Sequence, residues 1–143
     1  MNRFILITLL MFLTAGLLFA LRWNSLPCVV KKDLTLSGIE SRYNLPSYFS
    51  RNRDSLHKVV VYYGFFSPVK RIRKDEELRQ IKESLVSTDE KREPGFGFGE
   101  EKIYFYDARK NLMAFGAKSN DEWLIRTNDG WFKLKDEVVK KLK

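Results

Sequence analysis

The chain has 143 residues, of which 44% are hydrophobic and 14% are aromatic. This content of large apolar side chains excludes disorder of the whole chain, and a length of this order excludes two domains with separate cores. The 26 Lys and Arg residues exceed the 18 Asp and Glu residues, which gives a net charge of +8. That charge favours anionic partners without distinguishing lipid head groups, acidic proteins and nucleic acid.

The N-terminus carries an uncharged apolar segment at residues 4–21. As a helix this segment would span about 27 Å, which is close to the hydrocarbon thickness of a bilayer. Arg3 precedes it, and Arg22 and Trp23 follow it, as is typical of the two borders of a membrane span. Residues 1–28 are therefore predicted to be a transmembrane anchor or a signal segment.

Cleavage of this segment is not favoured by its sequence. Ala20 has Leu18 two places before it, so the small-x-small pattern of a signal peptidase site is missing. The residues before Cys28 are not those of a lipidated cysteine, and acylation or intermolecular pairing of this thiol remain alternatives. We expect an uncleaved single-pass anchor, whereas a cleaved chain would be secreted.

The positive charges do not decide the orientation of this anchor. Arg3 and the α-amino group lie on one side, and Arg22, Lys31 and Lys32 lie on the other. A very short N-terminal region before the apolar segment and a domain after it is the layout of export signals. We therefore expect the C-terminal domain outside the cytoplasm.

The first part of the body has one strong strand signal. Residues 29–56 show no regular period and are predicted to form a linker. Residues 59–66 are β-branched or aromatic on both alternating faces, which predicts a central strand covered on both sides. Pro68 is expected to end this strand.

A helix is predicted next, with Asp75 as its capping residue. Its apolar positions share one stripe, namely Leu78, Ile81, Leu85 and Val86. Residues 87–99 contain charges, Pro94 and three glycines, and they are predicted to be a surface loop.

The remaining residues predict an antiparallel meander and a final helix. Strands are expected at 102–107, 112–117, 123–127 and 131–134, joined by turns at 108–111, 119–121 and 128–130. Residues 136–142 are expected to form a short amphipathic helix. The predicted fold class is thus α+β: an N-terminal membrane helix, then a two-layer sandwich at residues 57–143. Its sheet has about four or five antiparallel strands with one packed helix.

This layout resembles small bacterial membrane-anchored or exported α+β domains of uncharacterised function. The resemblance covers residues 58–143 and includes the runs IYFYDARKNLMAF and WLIRTNDGWFKL. It is architectural, so it implies no functional residue.

Chemistry-bearing motifs are sparse. One histidine, His57, and one cysteine, Cys28, provide no metal-ligand spacing and would place a Cys/His dyad beside the membrane. The glycines at 95–99 precede a strand, whereas a phosphate-binding loop precedes a helix. We therefore predict no catalytic residue, no cofactor and no metal site, and we expect the chain not to be an enzyme.

Two features are interaction candidates. The first is the run of cations Lys70, Arg71, Arg73 and Lys74, which alternatively is a solvated connection. The second is the pair Phe96 and Phe98 in its glycine frame, which alternatively folds back onto the sheet.

The partners that we expect are the membrane and an envelope protein, and not nucleic acid, because the aromatic residues alternate as core residues of strands. These features predict a membrane-anchored extracytoplasmic binding or accessory module. The alternatives are an ancillary subunit that acts through its membrane helix, and an enzyme.

Overall fold

The structure is a computed structural model, and it describes residues 3–27, 31, 55–92 and 100–142. In this part of the chain the elements follow one another in the order α1 (Arg3–Ser25), β1 (Leu56–Tyr62), β2 (Lys70–Ile72), α2 (Asp75–Ser84), β3 (Val86–Thr88), β4 (Lys102–Asp107), β5 (Leu112–Ser119), β6 (Glu122–Thr127), β7 (Gly130–Lys135) and α3 (Asp136–Lys141). The strands form one seven-stranded sheet in the order β2-β1-β4-β5-β6-β7-β3, and all neighbours in it are antiparallel.

Helix α1 is long and apolar enough to cross a membrane. It runs 23 residues, and its apolar side chains are exposed along the whole span. The length and the composition of α1 fit a membrane span, and a signal sequence has the same length and composition.

The first face of the sheet, marked by Val59, Val61 and Phe105, is covered by α2 and α3. Leu78 and Ile81 of α2 are buried against it, and so is Val139 of α3. The buried side chains of α2 belong to its predicted apolar stripe, because residues three apart lie on the same side of a helix.

The second face, marked by Val60, Tyr62 and Tyr104, is apolar as well. Val69 and Phe65 from the loop after β1 pack on it, together with Trp23 and Leu26 from the end of α1. Because alternate residues of a strand point to opposite faces, β1 is buried on both sides. The predicted central strand is thereby confirmed.

Several predictions about the elements need correction. The sheet has seven strands, because residues 70–72 and 86–88 also pair at its two edges. Three residues are too short to show an alternating pattern, so the sequence predicts a connection at 70–72, and the end of the helix and the start of a loop at 86–88. The strand predicted at 59–66 covers Leu56–Tyr62, and Gly64 with a positive φ of 113° turns the chain after it.

The boundaries of the predicted helix also differ. Asp75 is its first residue and not its cap, and the capping residue Lys74 makes no side-chain hydrogen bond there. Val86 lies in β3 and is 62% exposed, so it does not belong to the apolar stripe. The hairpins at 102–117 and 122–135 and the final helix are confirmed. Most of the predicted linker at 29–56 lies outside the described residues, and its last residue, Leu56, begins β1.

Candidate functional site

A cluster of four cations lies where β1, β2 and the β4–β5 turn meet. Arg71 lies opposite Val60 in the β1–β2 ladder, and Ile72 lies opposite Val59. Arg71 therefore shares the second face with Lys58 of β1, and Arg73 directly follows β2. Lys110, in the turn after β4, is the fourth member and acts electrostatically on Lys58 together with the two arginines. We call Lys58, Arg71, Arg73 and Lys110 the basic cluster.

The charges of the basic cluster repel one another. Burial lowers the pKa of Lys58 below its ordinary value, and the positive charges of Arg73, Lys110 and Arg71 lower it further. The ammonium group lies 4.7 Å from the ring centroid of Tyr106, whose π electrons attract it. An anionic ligand at this place would relieve the repulsion, and it would raise the pKa of Lys58 again.

The other two predicted cations have different surroundings. The Lys70 ammonium donates hydrogen bonds to the carbonyl oxygens of Val139, at 2.7 Å, and of Leu142. It thus stabilises the C-terminal end of α3, where carbonyl groups lack helical partners. Lys74 forms a 3.5 Å ion pair with Glu77 on α2.

The structure therefore brings Arg71 and Arg73 together and leaves Lys70 and Lys74 outside the basic cluster. Lys58 and Lys110 were missed from the sequence, because Lys58 approaches Arg71 through the register of β1 and β2, and Lys110 approaches through the pairing of β1 with the distant strand β4. The predicted contact residues Phe96 and Phe98 lie outside the described residues.

A second notable arrangement is the contact between α1 and the β1–β2 loop. The Arg22 guanidinium donates hydrogen bonds to the carbonyl oxygens of Phe65 and Ser67. The Phe19 ring stacks on the Phe65 ring with centroids 5.0 Å apart, and on the Trp23 ring at 6.3 Å. Leu26, which is 4% exposed, extends this contact into the second face. The end of α1 is thus part of the packed domain.

A third arrangement is a buried charge network at the start of α3. The Asp136 carboxylate, 1% exposed, accepts a 2.9 Å hydrogen bond from the Trp123 indole and lies 2.9 Å and 2.8 Å from the Lys118 and Lys140 ammonium groups. Burial raises the pKa of Asp136, but the hydrogen bonds from Lys140, Lys118 and Trp123 outweigh it and hold the pKa below its ordinary value.

The neighbour of this network, Tyr63, stacks edge-on against Trp123. Burial and the nearby charge of Asp136 raise the pKa of Tyr63 to about 12. The hydroxyl therefore stays protonated at neutral pH. Because the charges of Asp136 are matched by lysines and the indole is satisfied, the network has the composition of a structural junction between β5, β6 and α3.

The remaining polar candidates are accounted for by local contacts. Glu76 accepts hydrogen bonds from Arg79 and Gln80 on the exposed side of α2, and these bonds lower its pKa. Glu101 pairs with Lys118 at 2.9 Å. His57 is exposed on β1, and Cys28 lies outside the described residues. Within the described ranges, no group of three or more His, Cys, Asp or Glu residues is placed to hold a metal ion.

Comparisons of the chain with protein-family models, with curated proteins and with solved structures gave no significant match. We therefore infer the function from the geometry of the basic cluster and of the α1 contact.

Proposed function

We propose that this chain is a membrane-anchored binding module that uses the basic cluster to bind an acidic surface of another envelope protein. The observation that carries the proposal is that Lys58 and Arg71 share the second face, and that Arg73 and Lys110 lie close enough to act electrostatically on Lys58. Clustered like charges cost free energy in the free protein, and a ligand of opposite charge removes that cost. A binding role needs no nucleophile or general base.

The position of the basic cluster favours a protein partner over lipid head groups. Lys58 lies four residues along β1 from Tyr62, which is the end that meets α1. At about 3.3 Å per residue, Lys58 lies about 13 Å from this end, beyond the distance over which salt screens exposed charges, whereas Arg71, opposite Val60, lies about 7 Å from it. An acidic protein segment can approach all four cations directly, whereas head groups beside α1 are partly screened from Lys58.

We further propose that α1 is retained as the anchor. The support is that Arg22, Trp23 and Leu26 contact the domain, so cleavage after Leu26 would remove all three side chains from it, and cleavage after Trp23 would remove two of them. The domain is proposed to lie outside the cytoplasm, since long domains translocate largely regardless of charge. An intact-mass measurement and protease digestion of a C-terminal tag on intact cells test these two points.

The binding proposal is tested by crosslinking in intact cells. We expect the double variant Arg71→Gln/Arg73→Gln to lose the crosslinked adduct with the envelope partner, and we expect rising salt to weaken the wild-type adduct in isolated membranes. The matched control is Lys91→Gln/Lys141→Gln, which removes the same charge from exposed lysines outside the basic cluster. Equal adduct yields from the two double variants would contradict the proposal.

A second candidate function is an ancillary subunit of a membrane complex. It is favoured by the apolar side chains of α1, which are exposed all along the helix and could pack against other helices. Replacing residues 4–18 with an unrelated apolar sequence separates the candidates, since this exchange keeps Phe19 and Arg22. An adduct that survives the exchange supports the basic cluster, and an adduct that disappears supports the helix.

A further inference from the structure

Among the residues that the structure describes, Phe66 is the most exposed aromatic side chain, and it lies beside α1. Its side chain is 96% exposed, although the adjacent Phe65 is buried. A tight turn presents both rings, since the Ser67 amide donates a hydrogen bond to the Gly64 carbonyl across it. An aromatic ring left in water at the tip of an ordered turn forgoes a large apolar burial, and such exposed apolar groups commonly mark a contact surface.

The level of Phe66 relative to the membrane follows from a chain of ring contacts. Phe19 lies within the uncharged segment 4–21, inside the border that Arg22 marks. The Phe65 ring stacks on Phe19 at 5.0 Å, and the Phe66 ring meets the Phe65 ring edge-on at 5.3 Å. If α1 spans the bilayer, Phe66 lies beside the last turn of its apolar segment.

The backbone of this turn is prepared for an environment with little water. Carbonyl groups cost free energy in a bilayer unless they accept hydrogen bonds. Arg22 donates to the carbonyl oxygens of Phe65 and Ser67, the two that bracket Phe66. Its charge lies where a long cationic side chain reaches the head groups from the end of a span.

We propose that Phe66 inserts into the membrane interface as a second lipid contact next to α1. The proposal rests on the proposed anchoring by α1 and adds to it: two points of attachment fix the rotation of the domain about the helix axis. The second face and the basic cluster then keep one orientation relative to the bilayer.

The experiment uses the full chain in phospholipid vesicles, with Cys28→Ser as background because Cys28 is the sole cysteine. A polarity-sensitive fluorophore is attached in turn through Phe66→Cys, Ala108→Cys and Phe12→Cys. Ala108 is the matched control, since it is exposed in the β4–β5 turn at the opposite end of β4, about 20 Å along the chain direction from Lys102. Phe12 lies in the middle of α1 and reports insertion of the helix itself.

We expect lipids that carry a spin label near the top of the acyl chain to quench the fluorophore at position 66 several-fold more than that at position 108, because interfacial groups lie about 5–10 Å deep. Lipids labelled deeper should quench position 12. Quenching at 12 together with equal, weak quenching at 66 and 108 would overturn the Phe66 contact and leave the anchor intact. Lack of quenching at 12 would overturn the anchor and the inference together. Because Phe66 is exposed, its replacement leaves the fold intact, and unchanged thermal unfolding of the labelled chain checks this.

Discussion

The first face of the sheet is covered by helices that come from the body of the chain, whereas the second face is covered in part by the end of α1. On the first face, Ile81 and Val139 belong to elements that are adjacent to the strands in sequence. On the second face, Trp23 and Leu26 precede β1 by about thirty residues. The body can therefore complete one face alone, while helix α1 contributes to the other, which couples the packing of the domain to its N-terminal apolar helix.

The largest expected effect belongs to the first face. Ile81→Ala should lower the free energy of unfolding by about 2–5 kcal/mol, since Ile81 is fully buried between α2 and the sheet. Urea unfolding of the full chain in detergent micelles, followed by circular dichroism, measures this change. Arg79→Ala, on the exposed side of the same helix, should change it by less than about 0.5 kcal/mol. Similar losses in both variants would show that α2 does not depend on this apolar stripe.

The charge network around Asp136 should make the first face sensitive to acid. A lowered pKa means that the carboxylate stabilises the folded chain above its ordinary pKa of about 4, and that this contribution is lost as the pH falls through the lowered pKa. Asp136→Asn keeps an acceptor for Trp123 but loses the charge next to Lys118, so about 2–3 kcal/mol should be lost at pH 7. Unfolding midpoints measured from pH 7 to pH 2 should converge for the two proteins. Parallel curves would contradict the role of the charge.

A smaller and more local effect is expected on the second face. Arg22→Gln removes the charged donor to the carbonyl groups of Phe65 and Ser67, at an expected cost of about 1–2 kcal/mol. Hydrogen exchange at the Ser67 amide should accelerate, while the amides of β6, three strands away from β1 in the sheet, should exchange as slowly as in the wild type. Arg3→Gln, at the other end of α1, should leave both unchanged. Uniform acceleration across the sheet would show that the two faces do not respond separately.

Local sequence patterns predicted much of the fold. The apolar run of α1, the both-sided burial of β1 and the hairpins after residue 102 each depend on residues that are close in sequence. The edge strands β2 and β3 were missed because three residues carry no period. The strand count was too low for that reason.

The candidate surfaces were harder to predict from local sequence patterns. Arg71 and Arg73 were chosen from a charge run, but their companions Lys58 and Lys110 come from other elements and meet them only through strand register. Arg22 and Phe65 are 43 residues apart in the sequence, so no local pattern predicts their contact. Which charged residues share one surface depends on such tertiary contacts, and a local sequence pattern does not predict these contacts.

The short edge strands have a consequence for crowding. If α1 anchors the chain as proposed, the molecules share a plane and neighbouring domains meet far more often than they would in free solution. An open β-sheet edge can then pair with the edge of another copy. Here the sheet ends on three-residue strands at both sides, and the β2 side also carries Arg71. Edges that are so short and, on one side, charged disfavour edge-to-edge pairing into amyloid-like ribbons. The sheet can therefore keep two open edges without associating with other copies at high local concentration.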